Sequence, residues 1–299
     1  MATLLDRRLV FVTGKGGVGK TVVAAALGLL AARAGRRAVV CELSGQQRLA
    51  GVLPGHGGGG PDLISIDAET ARRDWLRREL RSGALAGILG RSRAFDLLTA
   101  AAPGLSELLT IGKVWDLVDG GEPGRAAYEL AIVDGPSTGQ ALALLEAPHT
   151  YAGVARAGPV HSRSLLIEDF LVDRARTAVV AVALPEEMPV NETIQLAASL
   201  ASLGASLELV ALNGMLPRRY REEEAALMRG LEESLPGGER AAVRVALAGH
   251  ERSRDQHREA KRLRAGVAAR VATLPFLFEP ELRMAELEVL ADRLAEAAA

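Results

Sequence analysis

The chain is poor in cysteine and in aromatic residues, and neither sign of charge dominates it. Its single cysteine, Cys41, excludes a disulfide within the chain and a metal site built from several thiolates. Aromatic residues make up 3% of the 299 residues, so Ala, Leu and Val must form most of the core. The 36 Lys and Arg residues nearly balance the 37 Asp and Glu residues, and the net charge of -1 creates no overall field that attracts nucleic acid or an anionic membrane.

Long hydrophobic runs are absent as well. The longest apolar run in the N-terminal part, residues 22–32, has 11 residues, whereas a membrane-spanning helix needs about 20. The apolar run after Arg8 is too short for the core of a signal peptide. We therefore expect no integral membrane segment, and the lone cysteine adds to the expectation of a cytoplasmic protein.

Short apolar runs alternate with helical patterns along the chain. The runs are nearly continuous in apolar residues, which is typical of parallel strands covered on both faces. They lie at residues 9–13, 37–43, 63–67, 130–133, 177–184 and 207–212. We predict an α/β fold with a mainly parallel sheet flanked by helices on both faces. It forms a single domain over residues 1–299, with helical insertions at about 70–125 and 217–265.

A glycine-rich loop at residues 14–21 (GKGGVGKT) matches the pattern G-x-x-x-x-G-K-[ST] between a predicted strand and a predicted helix. Glycines let successive N–H groups turn toward phosphate oxygens, and the helix N-terminus adds positive potential. In this motif Lys20 reaches the β- and γ-phosphates and the Thr21 hydroxyl binds Mg²⁺. The expected nucleotide-binding residues are Gly14, Lys15, Gly16, Gly17, Val18, Gly19, Lys20, Thr21 and Val22.

The early lysine of the loop, Lys15, gives the deviant form of the motif, K-G-G-x-G-K-T. In proteins with this form, the early lysine crosses a dimer interface and contacts the partner's nucleotide. A cation there stabilises charge on the transferring phosphoryl group. We therefore predict that Lys15 is catalytic across a dimer interface; the alternative is a solvated loop lysine.

Segments throughout the chain resemble the bacterial branch of the anion-transporting ATPases. That family includes the arsenical pump-driving ATPases and the ATPases that target tail-anchored membrane proteins. The loop alone is shared by many ATPases, but the combination of segments in this order is more specific. The segments are VTGKGGVGKT (12–21), IDAETA (66–71), APGLSELL (102–109), IVDGPSTGQALALLEAP (132–148), LPEEMPVNET (184–193), LVALN (209–213) and LPF (274–276).

The resemblance implies roles for residues outside the loop. Asp134, at the end of an apolar run, would be a catalytic carboxylate that holds Mg²⁺ through a water, and residues 135–139 would sense the γ-phosphate. Asn213 would hydrogen-bond adenine, and Pro275 and Phe276 would pack against the base. No Asn-Lys-x-Asp guanine-reading motif is present, which favours ATP over GTP. Ordinary turns after the two strands are the alternatives for Asp134 and Asn213.

One position departs from the family pattern in a way that affects hydrolysis. The arsenical and eukaryotic members carry an Asp after the second strand that positions the attacking water, and this Asp falls on Ser44 here. Glu42 lies two residues earlier, but strand alternation alone does not establish which way it faces. Since loss of a water-positioning group commonly lowers a rate by orders of magnitude, we predict slow hydrolysis by this chain alone.

Other family functions lack their residues here. One cysteine supplies neither the thiolates that respond to arsenite nor the Cys-x-x-Cys pair that holds a bridging zinc. Residues 149–176 form a short polar segment without methionine, in place of a long Met-rich insertion that binds clients. We expect no zinc binding, no arsenite activation and no capture of transmembrane helices.

Three functions remain open. The chain is a dimeric ATPase switch, as a homodimer or with a related ATPase subunit; a regulatory nucleotide-binding subunit whose partner hydrolyses ATP; or a partitioning-type positioning ATPase. The last needs a DNA-binding patch or a basic amphipathic tail. The tail at 280–299 is acidic, and we expect no nucleic-acid binding because the clustered arginines fit a solvated helix face. These arginines are Arg72, Arg73, Arg77, Arg78, Arg81, Arg91 and Arg93.

Overall fold

A computed structural model of the chain describes residues 4–43, 49–53, 60–79, 104–119, 128–154, 157–279 and 281–298. The side chains of residues 76–79, 159 and 298 are not included. Three sets of residues named in the sequence predictions therefore lie outside the description. They are Ser44, residues 80–103 and 120–125 of the predicted insertion, and Arg81, Arg91 and Arg93 of the arginine cluster; of Arg77 and Arg78 only the backbone is described.

Seven strands form one sheet in which every pair of neighbours is parallel, in the order β3-β2-β4-β1-β5-β6-β7. The prediction of a mainly parallel sheet is confirmed. The strands are β1 (Leu9–Gly14), β2 (Ala38–Glu42), β3 (Asp62–Ser65), β4 (Leu130–Asp134), β5 (Thr177–Ala183), β6 (Leu207–Met215) and β7 (Arg270–Pro275).

The described residues contain nine α-helices. They are α1 (Lys20–Arg33), α2 (Ala68–Glu79), α3 (Leu105–Val118), α4 (Thr138–Val154), α5 (Pro159–Val172), α6 (Glu187–Ser202), α7 (Glu222–Leu231), α8 (Gly237–Gly266) and α9 (Met284–Ala298). Short 3₁₀ turns occur at Leu4–Asp6, Leu49–Gly51 and Glu232–Ser234. None of the helices so described is long and apolar enough to cross a membrane.

The core has two layers because successive residues of a strand face opposite sides of the sheet. On one face, Val12 and its neighbours pack with α1 and α9. On the other, Phe11 and its neighbours pack with helices α3 to α6 and α8. Strands β1, β4 and β5 are buried along their whole length, which explains why their sequences show no polar alternation.

Two elements were missed in the sequence. β7 is the edge strand beside β6, and its residues alternate between exposed and buried instead of forming a continuous apolar run. The segment at 149–176, predicted as short and polar, contains the end of α4 and all of α5. Pro148 lies inside α4, and Leu165 and Leu166 of α5 are exposed. The surface of this segment therefore carries exposed apolar side chains that the prediction of a polar segment did not include.

Candidate nucleotide-binding site

The glycine-rich loop lies at the carboxyl end of β1, in the middle of the sheet, and leads directly into α1. Gly14, Gly17 and Gly19 have positive φ angles of 147°, 83° and 98°, which L side chains rarely adopt. A Cβ atom on Gly14 would lie only 2.1 Å from the carbonyl oxygen of Val182 in β5. The glycines thus allow the loop to turn tightly against the neighbouring strand.

Two side chains at the start of α1 turn toward the loop and the sheet. The Lys20 ammonium donates to the carbonyl oxygen of Lys15 at 3.0 Å. The Thr21 hydroxyl donates to Oδ2 of Asp134 at 2.7 Å. A cation, a hydroxyl and a carboxylate therefore meet at the N-terminus of α1, where the helix dipole favours anions.

Asp134 is the last residue of β4 and is 8% exposed. It is in register with Val12 of β1, on the face of the sheet that α1 covers. Gly135 follows at a point where a Cβ atom would lie 2.5 Å from the carbonyl oxygen of Val12, so the chain passes closely over β1. This close passage fixes the start of the segment that follows Asp134.

These groups line one open cavity of about 770 Å³. Its volume is within the range of about 300–1,000 Å³ that is common for small-molecule and cofactor sites. The lining residues come from the loop, from the segment after β4 and from α3. They are Gly16, Gly17, Gly19, Lys20, Thr21, Leu43, Ala68, Ser106, Glu107, Thr110, Asp134, Gly135, Pro136, Ser137, Gln140 and Leu144.

The contribution of α3 was not predicted. Ser106, Glu107 and Thr110 line the cavity, and the opposite side of the same helix packs into the core through Ile111 and Val114. The segment APGLSELL contains the first two of these residues, so the family resemblance offered a signal. What the sequence did not show is that this helix lines the same cavity as the loop.

Glu42 is a second buried carboxylate at this end of the sheet. It is 3% exposed, ends β2, and is in register with Asp134 of the neighbouring strand. Because residues in register on parallel strands share a face, Glu42 lies on the α1 side with Asp134. The question that strand alternation left open in the sequence thus has an answer: Glu42 faces the side of the sheet that carries the loop.

The early loop lysine points elsewhere. The Lys15 ammonium forms an ion pair with Oε1 of Glu192 in α6 at 2.8 Å. Among the described residues that line the cavity, Gly16 and Lys20 are included but Lys15 is not. The two lysines of one loop therefore have different surroundings.

The residues expected around adenine lie near the carboxyl ends of β6 and β7. The Asn213 amide donates to the carbonyl oxygen of Val18 at 2.9 Å, and a Cβ atom on Gly19 would lie 2.5 Å from the same amide nitrogen. The backbone N–H of Phe276, after Pro275, donates to the carbonyl oxygen of Met215 at 2.9 Å. Asn213, which the resemblance assigned to adenine, is thus in contact with the loop.

Cys41 is fully buried in β2, and burial raises the pKa of its thiol to about 12. The thiolate is the form that binds soft metals and metalloids. At neutral pH this side chain therefore remains a protonated, apolar core group.

Comparison with known proteins identifies the family of the chain. The profile of the family described as "Anion-transporting ATPase" matches residues 7–157 and 160–233. The chain belongs to the anion-transporting ATPase family. It is thus a member of a family of nucleotide-binding ATPases.

Individual relatives have ATPase names. ATPase BagA of Mycobacterium tuberculosis is 31% identical over 233 residues, which cover 73% of this chain and 68% of BagA. ATPase GET3C of Arabidopsis thaliana is 25% identical over 289 residues, which cover 78% of this chain and 73% of GET3C. ATPase ASNA1 homolog 2 of Paramecium tetraurelia is 29% identical over 148 residues, covering 47% of this chain and 44% of that protein.

Proposed function

We propose that this anion-transporting ATPase family member binds Mg²⁺ and ATP in the cavity beside α1 and acts as a dimeric, nucleotide-driven switch that hydrolyses ATP slowly on its own. The observation that carries the proposal is the meeting of the glycine-rich loop, Lys20, Thr21 and Asp134 around one cavity. The phosphates would lie against the loop N–H groups and the Lys20 ammonium, which are the donors that anionic oxygens require.

The oxygen donors of the cavity fit a magnesium ion. Mg²⁺ prefers hard oxygen ligands and usually keeps several waters, so a hydroxyl and a carboxylate beside phosphates are suitable partners. The Thr21 hydroxyl and the Asp134 carboxylate lie within hydrogen-bonding distance of each other at the N-terminus of α1. Thr21 would bind the ion directly and Asp134 through a water. A bound Mg²⁺ neutralises charge on the β- and γ-phosphates.

Slow hydrolysis is inferred from the acidic side chains near the cavity. The chain has Asp134 and Glu42 but has a serine in place of the Asp that positions water in hydrolysing relatives. Ser44 stands where hydrolysing relatives of the arsenical and eukaryotic type have an Asp, and a serine hydroxyl orients or deprotonates water less effectively. Glu42 is buried in register with Asp134, where its charge would strengthen the magnesium site. The chain would thus retain strong nucleotide binding while its chemical step is slow.

A second candidate function is favoured by the same serine. A pocket that binds ATP but hydrolyses it poorly suits a regulatory subunit paired with a related ATPase that carries its own Asp. In that pair the chain would act as the nucleotide-loaded half, and Lys15 would reach into the partner's site. A homodimer is the default, since most soluble oligomers are homo-oligomers.

Turnover of the purified chain, compared with that of the Ser44→Asp variant, tests the proposal. We expect turnover far below the ~10 s⁻¹ that is typical of enzymes, and an increase in Ser44→Asp. The control is Ser202→Asp, an exposed position at the end of α6. Turnover near ~10 s⁻¹ from the unmodified chain would show that Ser44 does not limit hydrolysis and would remove the reason for a hydrolysing partner.

Arsenite tests how far the chain departs from the pump-driving relatives. Because burial keeps the pKa of Cys41 near 12, the thiolate is nearly absent at neutral pH, and we expect no change in ATP turnover with arsenite. The Cys41→Ala variant, assayed in parallel, should behave in the same way. Activation by arsenite would contradict this expectation, and loss of that activation in Cys41→Ala would assign it to this thiol.

A further inference from the structure

The surroundings of Lys15 indicate how its use could be controlled. Lys15 follows Gly14 at the start of the loop, and its ammonium lies 2.8 Å from Oε1 of Glu192. The two side chains are 38% and 31% exposed, respectively. The pair is therefore at the boundary between the protein and solvent, where a second molecule could reach the lysine.

Glu192 is held in place by the packing of α6. This helix follows β5, which is paired with β1, the strand that leads into the loop. Thr193, next to Glu192, is buried and its hydroxyl donates to the carbonyl oxygen of Pro189, while Leu196 is buried one turn later. The buried side of α6 thus fixes the position of Glu192 on its outer edge, beside the loop.

A half-exposed ion pair of this kind is weak. Measured pairs at exposed sites change an equilibrium by about twofold to fivefold, because water screens the charges and two long side chains lose freedom. A triphosphate offers the same lysine more negative charge and more ionised oxygens than one carboxylate does, and a dimer interface would exclude the water that screens the exposed pair. A phosphate from a neighbouring molecule would therefore displace the Glu192 carboxylate.

We propose that Glu192 is a positioning residue that holds Lys15 outside its own nucleotide cavity until a second ATP-bound copy of the chain presents its phosphates. This proposal rests on the proposed function, in which Lys15 acts across a dimer interface. Glu192 would set the concentration at which nucleotide drives dimerisation, because each lysine must leave its carboxylate before it contacts the partner.

Sedimentation of the full chain with Mg²⁺ and ATPγS over a range of protein concentrations tests the proposal. In Glu192→Gln the lysine has no carboxylate to leave, so we expect dimerisation at a concentration about twofold to tenfold lower than in the unmodified chain. Glu187→Gln is the matched control, since it removes the same charge from an exposed position on the first turn of α6. It should dimerise as the unmodified chain does.

A second readout follows the lysine itself without nucleotide. The rate of reductive methylation of Lys15, measured by mass spectrometry, should rise about twofold to fivefold in Glu192→Gln, while that of Lys113, paired with Asp74, stays constant. The double variant Lys15→Ala/Glu192→Gln should dimerise no better than Lys15→Ala. Any gain in the double variant would show that Glu192 acts through another group.

The outcomes separate the two proposals. If Lys15→Ala dimerises with ATPγS as the unmodified chain does, or if the chain stays monomeric at all concentrations, the trans role of Lys15 is wrong and the role of Glu192 is overturned with it. If Lys15→Ala loses dimerisation but Glu192→Gln matches the unmodified chain or dimerises less well, the role of Glu192 alone is overturned.

Discussion

Lys15 and Lys20 belong to one loop, yet the structure gives them opposite surroundings. Lys20 turns inward: it lines the cavity and donates to the Lys15 carbonyl oxygen. Lys15 turns outward to Glu192 on α6 and keeps a side chain that is 38% exposed. Of these two cations only Lys20 is among the described residues that line the cavity, and under the proposed function Lys15 would contact the nucleotide of a second copy.

The difference arises from the backbone on either side of the loop. Lys20 is the first residue of α1, so the helix fixes its direction, and Thr21 beside it is held by Asp134. Lys15 directly follows Gly14, whose backbone passes close to the Val182 carbonyl oxygen of β5, and no helix fixes the direction of its side chain. The inward lysine is thus fixed by regular structure, whereas the outward one depends on a single side-chain partner.

The largest expected effect belongs to Lys20→Ala. Removing a charge-assisted contact to the phosphates should cost about 2–4 kcal/mol of ATP-binding free energy. Calorimetry with Mg²⁺ and ATPγS would then show an affinity about 30-fold to 1,000-fold lower. Lys15→Ala, measured with the monomer at low concentration, is the matched variant and should lose far less affinity. Equal losses in the two variants would break the comparison between the lysines.

Asp134→Asn is expected to have the next largest effect, because it changes the carboxylate that contacts Thr21 in the cavity. Asparagine keeps an oxygen that accepts the Thr21 hydroxyl but removes the charge, and loss of a group that holds a metal through water typically lowers metal affinity about 10-fold to 100-fold. Binding of Mn²⁺ to the ADP complex, followed by electron paramagnetic resonance, measures this directly. Asp292→Asn, exposed on α9, is the control. Unchanged Mn²⁺ affinity in Asp134→Asn would remove Asp134 from the metal site.

Glu42→Gln should have a smaller effect on the same measurement. Glu42 lies one strand away from Asp134 and is not among the described residues that line the cavity, so its charge acts at a longer range. We expect Mn²⁺ affinity to fall by about tenfold or less. A loss larger than that of Asp134→Asn would show that Glu42, rather than Asp134, is the main carboxylate of the site.

The sequence predicted those parts of the molecule that depend on local pattern. The loop is a contiguous motif whose glycines have a direct conformational reason, and β1, β4 and β5 are continuous apolar runs because both faces of the sheet are covered. Asp134 stands at the end of such a run, but its catalytic role was implied by the family resemblance and stays a prediction. The family, the parallel sheet and the helices on both faces were confirmed on this basis.

The remaining features depend on contacts between distant parts of the chain. β7 was missed because an edge strand with alternating burial resembles the charged helical segment before it. The Lys15–Glu192 pair, and the cavity that α3 lines together with the loop, bring together residues far apart in sequence. The side on which Glu42 lies became clear only from the register between β2 and β4. Neither the composition of the chain nor the periodicity of its apolar residues shows which distant residues are in contact.

The smallest effect, and the one that best separates two roles, is expected from Asn213→Ala. The family resemblance assigns this amide to adenine, while the structure shows its nitrogen donating to the carbonyl oxygen of Val18 in the loop. The nitrogen contact leaves the amide oxygen as an acceptor, and adenine presents an exocyclic amine that can donate to it, whereas guanine presents a carbonyl oxygen at that position. We therefore expect the amide to serve both the loop and the base.

Calorimetry with ATPγS, GTPγS and inorganic tripolyphosphate distinguishes these roles. Loss of one hydrogen bond to the base, worth about 1 kcal/mol, should lower ATPγS affinity about fivefold in Asn213→Ala and reduce the preference over GTPγS by the same factor. Tripolyphosphate, which has no base, should lose less. If all three ligands lose affinity equally, the amide only supports the loop that holds the phosphates, and the adenine assignment is wrong. If none changes, neither contact contributes to binding, and the adenine assignment is wrong in that case as well.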